Sequence, residues 1–284
     1  MKKIFWYFLS VFVVVVVISL VVVIDKKFTV EPVYRQDEKE EKLARLNHID
    51  KRIDYFHYDY LDRYPAFQEK NPTLEEEDII TRVNLNLDYP YYENTKQSNF
   101  LNKVNILVNK YIYLPKDYVP NNLAEISSSY AGSGKQLVYE AKEKFEQMAD
   151  SAKKEGLTIR AISAYRSYQY QENLYNRYLQ KDTREKVDTY SARPGHSEHQ
   201  TGLVVDVDNT KVNFEEFEST LEFEWMKQHA HEFGFILRYP KGKENLTGYT
   251  YESWHYRYVG EAIAKYIYEN KITLDEYYAR FIDK

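Results

Sequence analysis

The sequence contains no cysteine and little glycine or proline, with 9 Gly and 8 Pro among 284 residues. The lack of thiols excludes thiol catalysis, Fe–S clusters, cysteine-based zinc sites and a disulfide framework. Lys and Arg number 39 against 44 Asp and Glu, and this net charge of −5 argues against a dedicated nucleic-acid binder, which normally carries a basic patch. The patterns HExxH, GxSxG and GxGxxG are also absent. Catalysis would therefore depend on His, carboxylates, Ser, Tyr, Lys and Arg.

Residues 4–24 form an apolar segment without charged side chains, directly after Lys2 and Lys3. At about 1.5 Å per residue, such a helix spans the roughly 30 Å hydrocarbon layer of a bilayer. The segment is longer than the apolar region of a cleaved signal peptide, and charged residues follow it instead of a small-residue cleavage site. We therefore expect a single-pass signal anchor over 1–29 in the cell membrane, with a cleaved signal peptide as the alternative. Either places the following domain outside the cytosol, and the positive-inside rule weakly favours the same orientation.

Residues 30–98 are predicted to form a juxtamembrane helical stalk or appendage. Residues 37–77 are rich in charge and carry a broken apolar stripe that is typical of a polar helix, and the alternation over 79–87 favours a strand.

The compact domain is expected over 99–284. Apolar spacing predicts helices over 135–156, 167–180 and 215–233, and strands over 157–163, 203–207, 235–239 and 251–258. Residues 273–276 form a capping box that opens the last helix. Short helices and strands without regular βαβ alternation indicate an α+β fold with a small antiparallel sheet and flanking helices.

A metal site is one interpretation of the segment from Ser197 to Asp206. His199 is predicted to lie on a loop, Gly202 marks a turn, and Asp206 stands within a run of apolar β-branched residues. An unpaired carboxylate in a buried strand would cost several kcal/mol, so it requires a positive partner. A metal, an arginine or a backbone turn would each satisfy it.

A second cluster contains Glu252 and His255, three residues apart. In a regular strand they point to opposite faces, but at a bend both can approach a metal, one as ligand and one beside its water. Two imidazoles and one carboxylate leave the fourth position of a zinc ion open to water. Arg166, at a predicted strand-to-helix junction, could clamp a carboxylate or stabilise an oxyanion, or it could be a surface arginine.

Four separate motifs together resemble one family. The segments AYRSYQYQ, ARPGHSEHQTGLVVDV, FGFILRYP and ESWHYRYVG are similar to those of the VanY-type D-alanyl-D-alanine carboxypeptidases in the LAS group of zinc peptidases, with SxHxxGxxxD and a later ExxH in the same order. The similarity covers roughly residues 99–268. Ser253 and Val204 depart from the residues common at those positions in the family, Pro and Ala, and neither is a proposed ligand.

The resemblance implies a role for each matching position. One zinc ion per chain would be bound by His199, Asp206 and His255, with Glu252 as the catalytic base. Arg166 would stabilise the oxyanion or bind the substrate carboxylate. The substrate groove would be lined by Gln171, Ser191, Ser197 and Trp254.

The implied function is a zinc-dependent D,D-carboxypeptidase that uses metal-activated water to remove the C-terminal D-alanine from peptidoglycan stem peptides. An L,D-carboxypeptidase acting on tetrapeptide stems, a crossbridge endopeptidase and an inactive wall-binding module are the alternatives. His196 is expected to be structural or to support the site, and His229 and His231 to lie on the surface or in packing contacts.

Overall fold

The computed structural model describes residues 35–283, which form helices around one four-stranded sheet and two strand pairs. The α-helices are α1 (Gln36–Arg45), α2 (Arg63–Lys70), α3 (Glu76–Asn84), α4 (Tyr139–Lys154), α5 (Tyr168–Tyr178), α6 (Arg184–Tyr190), α7 (Leu221–His229), α8 (Glu244–Thr247), α9 (Glu261–Asn270) and α10 (Leu274–Phe281). The strands are β1 (Lys96–Gln97), β2 (Ile112–Tyr113), β3 (Leu123–Glu125), β4 (Gln136–Val138), β5 (Arg160–Ser163), β6 (Val204–Asp208), β7 (Phe235–Leu237) and β8 (His255–Tyr258). Short 3-10 turns occupy Ile49–Lys51, Tyr58–Tyr60, Glu198–Thr201, Phe214–Ser219 and Ala230–Phe233.

The predicted membrane anchor over 1–29 lies outside the described residues. Within 35–283, no helix combines the length and the apolar character that crossing a membrane requires.

The predicted stalk is a packed helical unit in its described part. Its helices enclose a small core of their own, formed by Leu46, Ile49, Tyr55, Tyr64, Ile79, Ile80 and Val83. The polar helix predicted over 37–77 is interrupted because Asn47 and His48 have positive φ angles of 48° and 50°, which turn the chain after α1. The unit is fastened to the C-terminal end of the chain, where Arg280 Nε donates to Thr81 Oγ1 at 3.3 Å and His57 Nε2 lies 2.8 Å from Asp283 O.

The strand predicted over 79–87 is wrong, because this segment belongs largely to α3. Three acidic residues occupy its first turn, where they interact favourably with the helix dipole. Ile79, Ile80 and Val83 then share one helical face and reach the core of the unit. Apolar and polar residues also alternate in this short segment, so its sequence is compatible with both a strand and a helix. Burial against the rest of the unit selects the helix.

Other predicted elements also have different bounds, and three of them differ most. The helix predicted over 135–156 begins only at Tyr139, because residues 136–138 pair with β3 as β4. The helix predicted over 215–233 is divided into α7 and two 3-10 turns, since extended Thr220 caps α7 through its side chain. The strand predicted over 251–258 is limited to β8, because a turn precedes it. The capping box at 273–276 is confirmed, with both of its hydrogen bonds present.

The main sheet is antiparallel in the order β5-β6-β8-β7, which confirms the α+β prediction. Its register places Asp206 of β6 opposite His255 of β8. Alternate residues of a strand point to opposite faces. Val205, Val207 and Tyr256 pack in the apolar core with Phe145 of α4. The intervening residues Asp206, His255 and Arg257 therefore occupy the other face, which makes that face polar although it is buried.

Candidate metal centre and active site

Three side chains converge on the polar face of the sheet. Asp206 Oδ2 lies 3.2 Å from His199 Nε2, and Asp206 Oδ1 lies 3.2 Å from His255 Nδ1. All three residues are buried, and one candidate ligand atom from each lies within 4.8 Å of the others. The sheet register supplies Asp206 and His255 from neighbouring strands, and the 3-10 turn Glu198–Thr201 supplies His199. This cluster is called the metal triad below.

The triad fits a divalent metal because two of its candidate ligand atoms lack hydrogen-bond partners among the described residues. His199 Nε2 and Asp206 Oδ1 are buried and make no hydrogen bond to any described residue. The opposite nitrogen, His199 Nδ1, lies 2.6 Å from Ala164 O, an arrangement that leaves Nε2 as the lone-pair donor. Two imidazole nitrogens and one carboxylate form a donor set suited to zinc, with a fourth position for water.

The electrostatic environment keeps two of these groups in the state that a metal ligand requires. Burial lowers the pKa of His199 to about 4, helped by nearby Arg166, so this imidazole is neutral at pH 7. Burial raises the pKa of Asp206, but the two imidazoles outweigh it and hold that pKa well below its usual range. The carboxyl group is therefore an anion. A neutral imidazole and a carboxylate are the ligand forms that bind zinc.

Glu252 reaches the triad because the chain turns immediately before β8. The backbone N–H of His255 donates to Glu252 O at 3.5 Å across this turn. As a result Glu252 Oε2 lies 3.3 Å from His255 Nδ1, although the two residues would diverge in a regular strand. Burial raises the pKa of Glu252, while contact with His255 opposes the shift. A carboxyl group with a raised pKa beside a metal site can both accept and return a proton.

Arg166 borders the triad on the side of α5. Its guanidinium donates to Asp206 Oδ2 at 3.3 Å and to Gln171 Oε1 at 3.2 Å. Gln171 in turn donates to Ala192 O at 2.8 Å, which links α5 to the segment that carries Ser191. Arg166 Nε is buried and has no hydrogen-bond partner within 35–283, so the guanidinium retains a free donor.

One cavity of about 390 Å³ contains every residue that the motifs pointed to. Its lining includes the metal triad and the predicted catalytic and groove residues Arg166, Gln171, Ser191, Ser197, Glu252 and Trp254. Aromatic side chains complete the wall, among them Tyr170, Phe214 and Tyr239, and Phe214 packs edge-on against Trp254 at 4.9 Å. Sites of this shape, with a few convergent polar groups among aromatic ones, commonly bind small ligands.

The other histidines near these motifs lie apart from the triad. His196 Nδ1 lies 2.8 Å from Asn109 O, and burial lowers the pKa of its imidazole. It does not line the cavity, which agrees with a structural role. His229 Nδ1 lies 3.1 Å from Glu232, and His231 stacks on Tyr268 with ring centroids 3.7 Å apart.

Sequence reasoning missed a buried ionic network beside the triad. Glu198 accepts from Arg238 and Arg257, each at 2.9 Å, and Arg238 also pairs with Asp275 at 2.6 Å. All four side chains are buried. The sequence did contain an indication of this network. Arg238 and Arg257 each follow apolar or aromatic residues in predicted strands, where a buried arginine needs a carboxylate partner.

Comparison with known proteins identifies relatives of this chain. The profile of the VanY family, described as D-alanyl-D-alanine carboxypeptidase, matches residues 134–261. The putative carboxypeptidase YodJ of Bacillus subtilis is 39% identical over 207 residues, which cover 68% of this chain and 76% of YodJ.

Two solved structures are also similar. The LdcB LD-carboxypeptidase superposes with a TM-score of 0.62 at 37% identity and covers 66% of this chain and 91% of its own. A mutant of the vancomycin resistance D,D-pentapeptidase VanY in complex with Zn(II) gives a TM-score of 0.53 at 30% identity, covering 61% of this chain and 98% of its own.

Proposed function

Because this chain belongs to the VanY family of D-alanyl-D-alanine carboxypeptidases and is a zinc metallocarboxypeptidase, we propose that it removes the C-terminal D-alanine from peptidoglycan stem peptides. The observation that carries the proposal is the convergence of the metal triad, Glu252 and Arg166 in one cavity. The triad would hold one zinc ion through His199 Nε2, His255 Nδ1 and the Asp206 carboxylate. When bound, zinc supplies Lewis-acid chemistry, because it acidifies water and polarises a carbonyl.

Glu252 moves the proton in this proposal. Its Oε2 accepts a proton from the attacking water and then donates it to the amine nitrogen of the departing D-alanine. The raised pKa that burial gives Glu252 suits a group that must hold this proton between the two steps. No covalent intermediate with the protein forms, since water is the nucleophile.

Arg166 orients the substrate and balances its charge. Arg166 lines the cavity beside Asp206, so its guanidinium can contact either the terminal carboxylate of the substrate or the oxyanion that develops at the scissile carbonyl. The hydrogen bond from Arg166 to Gln171 Oε1 fixes the orientation of the guanidinium. Ser191, Ser197 and Trp254 line the groove that receives the peptide.

A second candidate function is L,D-carboxypeptidase activity on tetrapeptide stems. The observation that favours it is the similarity to the LdcB LD-carboxypeptidase, whose TM-score and identity exceed those of the VanY structure. Both reactions release a C-terminal D-alanine from a peptide, and they differ in the configuration of the residue before the scissile bond. The same triad, base and arginine serve either one.

The experiment that tests the function uses the purified full-length chain with defined penta-, tetra- and crosslinked wall peptides, with and without a chelator. Mass spectrometry should show chelator-sensitive loss of one alanine from the pentapeptide. Loss from the tetrapeptide alone would replace the D,D proposal by the L,D one. Cleavage of neither linear peptide by a zinc-loaded chain would contradict both.

We further propose that residues 1–29 anchor the enzyme in the cell membrane as a single-pass signal anchor, with the catalytic domain outside. The support is the apolar segment 4–24, whose length matches the hydrocarbon layer. Protease added to intact protoplasts should digest the catalytic domain from outside while it remains in the membrane fraction. Protection of the domain, or its recovery in the soluble fraction, would contradict this topology.

A further inference from the structure

Glu198 is a buried carboxylate beside the metal triad to which the proposed reaction assigns no role. Its Oε1 accepts from Arg238 Nε and from Arg257 Nη1, each at 2.9 Å. Its Oε2 is also buried but has no hydrogen-bond partner among the described residues. This carboxylate accepts two hydrogen bonds through one oxygen and none through the other. The unpaired oxygen requires an explanation, because buried polar atoms are normally hydrogen-bonded.

The unused oxygen faces the imidazole of His255. Glu198 Oε2 lies 3.7 Å from His255 Nε2, and this nitrogen is likewise buried without a hydrogen-bond partner in the described part of the chain. The other ring nitrogen, Nδ1, lies 3.2 Å from Asp206 Oδ1 and 3.3 Å from Glu252 Oε2. The ring therefore stands between Asp206 and Glu252 on one side and Glu198 on the other.

This arrangement determines where the ring proton belongs. A neutral imidazole that binds a metal through Nδ1 carries its single proton on Nε2, which then needs an acceptor. Metal-binding histidines commonly donate this second N–H to a carboxylate, which fixes the tautomer and the ring orientation. Of the carboxylates in the site, Glu198 is the one that faces Nε2.

We propose that Glu198 is a positioning residue for the zinc ion: its Oε2 accepts the Nε2–H of His255 and holds the ring with Nδ1 directed at the metal. The inference rests on the zinc site of the proposed function. The 3.7 Å separation exceeds a hydrogen bond by about 0.5 Å, so the proposal requires these two atoms to approach each other in the zinc-loaded chain.

The surrounding network holds Glu198 in this orientation. Arg257 donates to Val104 O at 3.0 Å and to Ile106 O at 2.7 Å, so its guanidinium is fixed by the backbone as well as by Glu198. The charges of Glu198 and Asp275 equal those of Arg238 and Arg257 in number. The arginines hold the carboxylate through Oε1, which leaves Oε2 available to the imidazole of His255.

A pair of matched variants separates this role from simple support of the network. Glu198→Gln and Asp275→Asn each remove one negative charge from the same buried network, but only position 198 faces His255. In Glu198→Gln, the amide oxygen can serve the arginines or the imidazole but not both, because the other end carries donors. The zinc dissociation constant, from competition with a chelator, should rise 10- to 100-fold in Glu198→Gln. It should change less than about 3-fold in Asp275→Asn, with both constants corrected for the folded fraction seen by circular dichroism.

Equal weakening of zinc in both variants, or no weakening in Glu198→Gln, would overturn the inference. A measurement on the unsubstituted chain covers the case in which Glu198→Gln does not fold. With ¹⁵N-labelled histidine, the zinc-loaded full chain should show a slowly exchanging proton on Nε2 of His255 and none on Nδ1. A proton on Nδ1 would refute the positioning role, whereas zinc bound at one ion per chain would still support the proposed function. Absence of zinc binding by the unsubstituted chain would refute the proposed function itself.

Discussion

Two buried polar clusters lie side by side on one face of the main sheet, and they differ in how completely they are paired. In the ionic network, two arginines and two carboxylates are joined by contacts of 2.6 to 2.9 Å and their charges cancel. In the metal triad, His199 Nε2 and Asp206 Oδ1 are buried and have no hydrogen-bond partner among the described residues. The first cluster is nearly complete without a ligand, and the second needs one. The degree of pairing therefore separates a structural group of buried charges from a functional group.

The largest expected effect is the loss of the metal when the triad is broken. His199→Ala removes one of three ligands, and zinc content should fall from one ion per chain to none, with turnover reduced to background. Atomic absorption on the purified chain measures this. His229→Ala, a surface histidine, is the matched control and should keep both. An active, zinc-containing His199→Ala chain would show that the triad is not the metal site, and the distinction between a structural and a functional cluster would then fail.

Substitution of the base should separate metal binding from chemistry. Glu252→Gln keeps the side-chain shape but cannot accept a proton, so kcat should fall on the order of 10²- to 10⁴-fold while zinc remains bound. Parallel zinc analysis and steady-state kinetics check the two expectations. Full activity in this variant would contradict the role of Glu252.

Disruption of the ionic network should affect stability before it affects chemistry. Arg257→Met leaves Glu198 with one arginine instead of two in a fully buried place, and the free energy of unfolding should fall by about 3 kcal/mol. Arg280→Met is the control, since this partly exposed arginine makes a 3.3 Å hydrogen bond to Thr81 and lies 4.0 Å from Glu276, and its loss should cost no more than about 1 kcal/mol. Urea denaturation followed by circular dichroism measures both. Similar losses of unfolding free energy in the two variants would show that the buried network contributes no more to stability than a partly exposed arginine does.

The smallest expected effect concerns another buried charge, Lys110, which packs among the rings of Tyr91 and Tyr249. Burial lowers the pKa of Lys110 to about 8, although Asp188 opposes the shift. An unfolded lysine titrates near 10.4, so above pH 8 the unfolded chain binds more protons and stability rises with pH. From pH 7 to 9 the unsubstituted chain should gain about 1 kcal/mol relative to Lys110→Met. Urea midpoints at the two pH values test this, and parallel curves would contradict it.

The motifs predicted which residues form the site, but they did not predict the buried ionic network beside it. All nine residues named from the motifs line one cavity, because they lie in a few short contiguous segments: the loop after β5 with the start of α5, the end of α6, the 3-10 turn with the residue before it, β6, and the turn that leads into β8. Their individual roles remain predictions. The antiparallel sheet was also predictable, since runs such as 203–207 have few alternatives to a buried strand.

The misplaced elements depended on contacts that no local pattern contains. Residues 79–87 carry a pattern that fits a strand, and only their burial against Leu46 and Tyr64 selects α3. Glu198 was overlooked for a similar reason. Its partners Arg238 and Arg257 are 40 and 59 residues away in the chain, so its burial and pairing are visible only after the strands assemble.

The most direct test of the account is a crystal structure of the zinc-loaded chain with an anomalous difference map recorded at the zinc edge. We predict a single peak bounded by His199 Nε2, the Asp206 carboxylate and His255 Nδ1, with Glu198 Oε2 in hydrogen-bond contact with His255 Nε2. No peak at the triad, or a peak bound elsewhere among the described residues, would contradict it.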